Sequence, residues 1–167
     1  MYKIFFFSFI SISTLFSQEP VLVKIESVVN NEIQKVGYKQ YSFYCVPYGV
    51  YTLESIYKKS DAHRFCKQKI KEYYRNNPED LYFAQEVFHV GMFYHLEVKN
   101  KECILYASGE TTYGELLLQK GLGVYKPHFK DKELKALYYK AQRGAKKEKR
   151  GLWKENIIQN CLGEIYN

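Results

Sequence analysis

The chain has 167 residues, of which 46% are hydrophobic and 26% charged, proportions that exclude a disordered, collagen-like or coiled-coil protein and fit one compact domain with its own core. Aromatic residues make up 17%, with 17 Tyr and 11 Phe, which suits strands and stacking surfaces better than helical bundles. A formal net charge of +7 and a pI near 9.1 point to an acidic partner, either nucleic acid or an anionic membrane surface.

Residues 1–18 read MYKIFFFSFISISTLFSQ, a lysine at position 3 and then an apolar run to Phe16. This is the pattern of a secretory signal, and the small residues Ser13, Thr14 and Ser17 permit cleavage before Gln18 or Glu19. As a helix the apolar run would reach about 20 Å, short of the roughly 30 Å of a bilayer core, which argues against a membrane anchor. The expected organisation is a signal peptide over 1–17, a domain over 18–154 and a tail over 155–167, with the product periplasmic or extracellular. Export would place Cys45, Cys66, Cys103 and Cys161 in an oxidising compartment, where at least one disulfide is expected. Four cysteines allow three pairings, and the sequence does not choose among them. No CxxC or Cys-His ligand pair is present, so no zinc site is expected.

In chain order, residues 21–53 predict short strands: VLVKIESVV, a turn at Asn30 and Asn31, EIQKV up to Gly37, and YSFYCV up to Pro47 and Gly49. From Ser60 the period changes, and Phe65, Cys66, Ile70 and Tyr73 predict a helix with Ser60 or Asp61 as its N-cap, ended by NNPED. Residues 87–98 predict a long strand, a turn at 99–101 and a returning strand at 103–107. Tyr113 to Lys120 predicts a short helix closed by Gly121; GVYKP reads as an extended link; and residues 131–150 predict a long helix with an apolar stripe of Leu134, Leu137, Tyr138, Ala141 and Ala145, continued by Leu152.

The charge is uneven. From Lys120 to Lys154 there are 12 Lys and Arg against Asp131, Glu133 and Glu148, so the rest of the chain sums to −2. His63, His89, His95 and His128 are scattered; His89 and His95, on one expected strand, would stand about 20 Å apart and share no metal.

The residues Tyr106 with Gly109, then Gly114-Glu115-Leu116 with Gly121-Leu122, then Tyr125-Lys126-Pro127, then Ala141, Ala145, Lys146 and Lys149 with Gly151-Leu152-Trp153 resemble, in order, motifs of the staphylococcal-nuclease-like (thermonuclease) family. The resemblance implies an α+β, mainly β fold: a five-stranded OB-type barrel with three helices. It also implies an exported phosphodiester hydrolase, in which paired arginines hold the scissile phosphate, a Glu activates water and Asp carboxylates hold Ca²⁺. In the arginine, aspartate and glutamate motif only Glu54 matches; Cys45 falls on the first arginine and Tyr51 on the Asp. The second arginine falls on Asn100, flanked by Lys99 and Lys101. The metal motif falls on SVVNNE at 27–32, where Glu26 and Glu32 are the nearest carboxylates.

The resulting expectation is a thermonuclease-like protein without the usual catalytic set, binding nucleic acid or another polyanion by charge through its terminal helix. Glu54 is the sole catalytic candidate; Tyr125, Lys126, Lys99, Lys101, Lys146 and Lys147 are the nucleic-acid-binding candidates; no metal ligand and no cofactor is expected. The alternatives are an active Ca²⁺-dependent nuclease in which Arg64 and Arg75 replace the missing arginines, and a protein-binding module using the aromatic-rich strands.

Overall fold

A computed structural model describes residues 20–60 and 64–154, together with Ile157 and Cys161. The expected signal peptide, the N-cap candidate Asp61, His63 and most of the tail lie outside the described residues.

Alternation builds the first strand. In β1 (Val21–Val28) Val23 and Ile25 are fully buried while Leu22 and Lys24 face solvent, the period-2 pattern of a sheet with one wet face. The Asn30 side chain accepts the backbone N–H groups of Glu32 at 2.9 Å and Ile33 at 2.8 Å, an Asx turn that reverses the chain into β2 (Gln34–Tyr38) and then β3 (Tyr41–Cys45). On the other edge of β1 lies β5 (Phe93–Lys99), followed by β6 (Glu102–Ser108) and the two-residue β7 (Thr111–Thr112). All these pairs are antiparallel, in the order β3-β2-β1-β5-β6-β7. A separate pair joins β4 (Val50–Thr52) to β8 (Gly123–Tyr125), so the expected extended link is a strand over its first half.

Among the described residues, α1 (Leu53–Lys59), α2 (Arg64–Asn76), α3 (Pro78–Leu81), α4 (Phe83–Val87), α5 (Tyr113–Lys120) and α6 (Lys132–Lys147) complete this α+β fold. The described architecture thus has six strands in its main sheet where five were expected and six helices where three were expected, and its helices hold more residues than its strands. Three features account for part of the difference. The Thr52 hydroxyl accepts the N–H of Ser55 at 3.2 Å and starts α1, so Ser60 ends a helix instead of beginning one. Pro78 stands at the start of α3, where its missing N–H costs nothing. Finally, Gly91 takes φ +90 and its N–H donates to the Ile25 carbonyl at 2.8 Å; this turn confines the expected 87–98 strand to Phe93–Lys99 and leaves His89 off it.

The C-terminal half follows its expected pattern. Gly121 closes α5 in the left-handed region at φ 76; a Cβ there would lie 2.4 Å from the Arg150 carbonyl, and one on Gly151 would lie 2.4 Å from the Gly121 carbonyl. The ends of α5 and α6 therefore meet backbone to backbone, sealed by Leu152 N–H donating to the Gly121 carbonyl at 2.9 Å. Asp131 caps α6, which buries Leu134, Tyr138, Ala141, Gln142 and Ala145. Leu137, expected in that stripe, is 42% exposed. Two disulfides pin the whole: Cys45 to Cys103 between β3 and β6, and Cys66 to Cys161 between α2 and the tail.

Candidate nucleic-acid interface

The exposed side of α6 carries Lys132, Lys135, Lys140, Arg143, Lys146 and Lys147, and none of them forms an ion pair among the described residues. Tyr139, 54% exposed, stands among them. Sixteen helical residues extend about 24 Å, so the cations form a strip long enough to follow several phosphates. The Asp131 carboxylate organises the head of the strip: it accepts the N–H of Leu134 at 3.1 Å and pairs with Lys99 at 3.0 Å. Burial opposes its ionisation, yet these donors hold its carboxyl below the ordinary 3.8. At the other end Lys146 Nζ lies 4.3 Å from the Trp153 ring centroid, a cation–π contact.

Beside the first turn of α6 is a cleft of about 420 Å³ between β4, the β5–β6 turn and the β8–α6 link, lined in part by Tyr48, Tyr51, Asn100, Glu102, Lys126 and His128. Lys126 pairs with Glu102, and the other Glu102 oxygen accepts the Gly49 N–H at 3.0 Å. The Tyr51 ring has lysine ammonium groups on it, Lys59 at 3.5 Å and Lys126 at 5.1 Å from its centroid. Asn100 and Lys101 both take positive φ, 53 and 66, which makes the β5–β6 connection a two-residue turn of the hairpin type with Lys101 exposed at its tip. Tyr125 is half-buried in β8, its N–H donating to Gln142 of α6 at 3.1 Å.

The six expected contacts therefore do not form one cluster. Lys99, Lys101 and Lys126 lie toward the N-terminal end of α6, where Lys99 and Lys126 already have carboxylate partners, and Tyr125 bonds to Gln142 farther along the helix; Lys146 and Lys147 lie at its C-terminal end. Sequence reasoning did not single out the rest of the strip, Lys132, Lys135, Lys140 and Arg143. Their spacing of three, five and three residues, which keeps all four within one side of a helix of 3.6 residues per turn, was the available signal.

Glu54 is in the first turn of α1, where it faces α2. The Tyr74 hydroxyl donates to its Oε1 at 3.0 Å, while its Oε2 is buried with no hydrogen-bond partner among the described residues. Burial pushes its carboxyl above 4.5, against its own backbone N–H and the Tyr74 hydroxyl, which favour the charged form. Arg64 and Arg75 are exposed on α2, and neither lines the cleft that Glu54 lines. Cys45, which falls on the family's first arginine, is in a buried disulfide. The carboxylates near the metal motif are engaged as well: Glu26 with Lys35 at 2.9 Å and the Ser42 hydroxyl at 2.7 Å, Glu32 with Lys58. Among the described residues no group of three or more His, Cys, Asp or Glu is placed to hold a metal ion, and no helix is long and apolar enough to cross a membrane.

Comparison of the chain with protein-family models and with curated proteins finds no match.

Proposed function

We propose that this chain is an exported, thermonuclease-like protein with an OB-type barrel that binds nucleic acid or a similar polyanion along α6 and does not hydrolyse it. The observation that carries this reading is the strip of six cations on α6 without ion-pair partners among the described residues. Such a surface is maintained at a cost in self-repulsion, which a polyanion relieves by releasing counterions. The order of elements, a strand meander, the helices α1–α4, a hairpin, then α5, a YKP link that begins as β8, and α6, is compatible with the barrel the resemblance implies. So is the bridge between Pro47 and Cys103, which brings the end of β3 onto β6. Two buried disulfides support export.

The catalytic positions support a lack of hydrolysis. A transition state gaining negative charge needs cations fixed around it; the positions that the resemblance assigns to arginines hold Cys45, which is in a disulfide, and Asn100, in the hairpin turn. Lysines beside Asn100 supply charge without the two-pronged donor set of arginine.

Two measurements on the purified protein with both disulfides formed test the reading. Fluorescence anisotropy with labelled single-stranded DNA is expected to give a log–log salt slope of about −4 for six neutralised phosphates, so that affinity falls about 300-fold between 50 and 200 mM salt. Affinity that stays flat refutes binding by charge. End-labelled DNA is expected to remain intact in Ca²⁺ and in chelator alike; metal-dependent cleavage abolished by Glu54→Gln would restore the hydrolase.

A further inference from the structure

Positive charge in this chain is not confined to α6. Residues 53–76 carry seven Lys and Arg against Glu54, Asp61 and Glu72, a second basic region hidden by the sum over the rest of the chain. Within it, α1 and α2 border a cleft of about 430 Å³ whose lining has three chemistries: flat apolar surface from Tyr57, Ile70 and Tyr74, ammonium groups from Lys58 and Lys71, and the carboxyl group of Glu54.

Each chemistry constrains the occupant. The buried Oε2 of Glu54 has no partner among the described residues, and a buried acceptor left unsatisfied is costly; it calls for an N–H donor. A free cation is a poor candidate because Lys58 and Lys71 line the same cleft and would repel it; Lys58 is already paired with Glu32, so Lys71, without an ion pair among the described residues, is the group that attracts a phosphate. The tyrosine rings favour a flat, stackable body. An N–H edge, a flat ring and an anionic group together describe a nucleotide. Oε1 accepts from Tyr74 and keeps a second lone pair, so the best base presents two adjacent donors, one for each carboxylate oxygen, without displacing the tyrosine. Guanine does so with its ring N–H and neighbouring amine; adenine and cytosine offer the amine alone, and uracil the ring N–H alone.

We infer that the α1–α2 cleft binds a guanine nucleotide, with the base edge on Glu54 and the phosphate toward Lys71. This deepens the nucleic-acid reading and rests on it for the source of the base, since a guanine within a bound strand and a free nucleotide share the chemistry. Glu54 is then a recognition group rather than a general base.

The test is an amide NMR titration of the purified protein with GMP, AMP, CMP and UMP, followed by octanucleotides with and without guanine. GMP is expected to shift α1 and α2 amides and to bind about 10-fold more tightly than the other three, the usual size of discrimination by a well-placed base contact. Glu54→Gln is expected to abolish that preference, and Lys71→Gln to weaken all four nucleotides alike while leaving the preference intact, which separates recognition from loss of fold. A guanine-containing strand bound more tightly than a guanine-free one assigns the source to the strand; a GMP preference without strand preference assigns it to the free nucleotide. Absence of any guanine-dependent shift in α1 and α2, or an unchanged preference in Glu54→Gln, overturns the proposal. Failure of the α6 reading looks different: a guanine-free strand then shows no salt-dependent binding, whatever GMP does.

Discussion

Opening the Cys45–Cys103 disulfide by replacing both residues with Ala releases a loop with a sequence separation of 58 residues. Treating the crosslink as a restriction on the unfolded chain gives a loss of about 4 kcal/mol. That is a large part of the total for a domain whose stability lies within about 5–15 kcal/mol. The bridge also anchors local structure, because Cys103 N–H donates to the Val46 carbonyl and Tyr48 N–H to the Cys103 carbonyl, both at 2.8 Å, so the segment entering the Tyr48 and Lys126 cleft hangs on the same residue. Urea unfolding followed by fluorescence of the single tryptophan measures the effect; with a slope of about 2 kcal/mol/M, the midpoint is expected to fall by about 2 M. A fall of less than about 0.5 M with the other disulfide intact would mean a loss below 1 kcal/mol, and would refute the view that this crosslink holds β3 and β6 together.

Two further predictions concern pH. Burial raises the Glu54 carboxyl above 4.5 in the folded state, so folding is favoured while the group is protonated and that stability is lost as pH rises through the folded value. Glu54→Gln is therefore expected to stabilise the protein by about 1 kcal/mol at pH 7, on the scale of a buried unsatisfied polar atom, with the gain vanishing below pH 4.5 in chemical unfolding across pH. Asp131 has the opposite sign: its carboxyl is held below 3.8, so its contribution is present above that pH and is lost as pH falls through the folded value. Asp131→Ala is expected to cost about 1 kcal/mol at pH 7, as for a lost helix cap, and nothing once the wild-type carboxyl is protonated; a cost that persists in acid would separate it from capping and from Lys99.

Legibility along the chain follows the range of the interactions involved. The Val21–Val28 alternation, the Asn30 turn and the Gly121 cap are set within a few residues, and the sequence shows each of them. The α1 helix is also local, but its Thr52 cap follows directly on a strand and the β-rich run obscures it. Residues 87–92 look like strand because they are apolar; what bends them is the Gly91 bond to Ile25, more than sixty residues distant. The disulfide pairing has no local signal at all. Of the site, the charge of α6 is readable by counting, whereas the partners of Lys99 and Lys126 come from other elements. Glu54 was visible as a singular carboxyl, but its meeting with Tyr74 depends on how α1 folds against α2, and the second basic region disappears when charge is summed over the whole remainder.

The account rests most directly on where the charge sits, and a matched pair of charge reversals measures that. Arg143→Glu with Lys147→Glu changes the net charge as much as Lys24→Glu with Lys39→Glu, on residues that are exposed in both cases. Anisotropy titrations over a range of salt are expected to show the α6 variant losing at least two phosphate contacts, its slope falling from about −4 to about −3 or shallower, while the sheet variant keeps the wild-type slope. Equal losses in the two variants would mean that net charge alone governs binding, and would contradict an interface on α6.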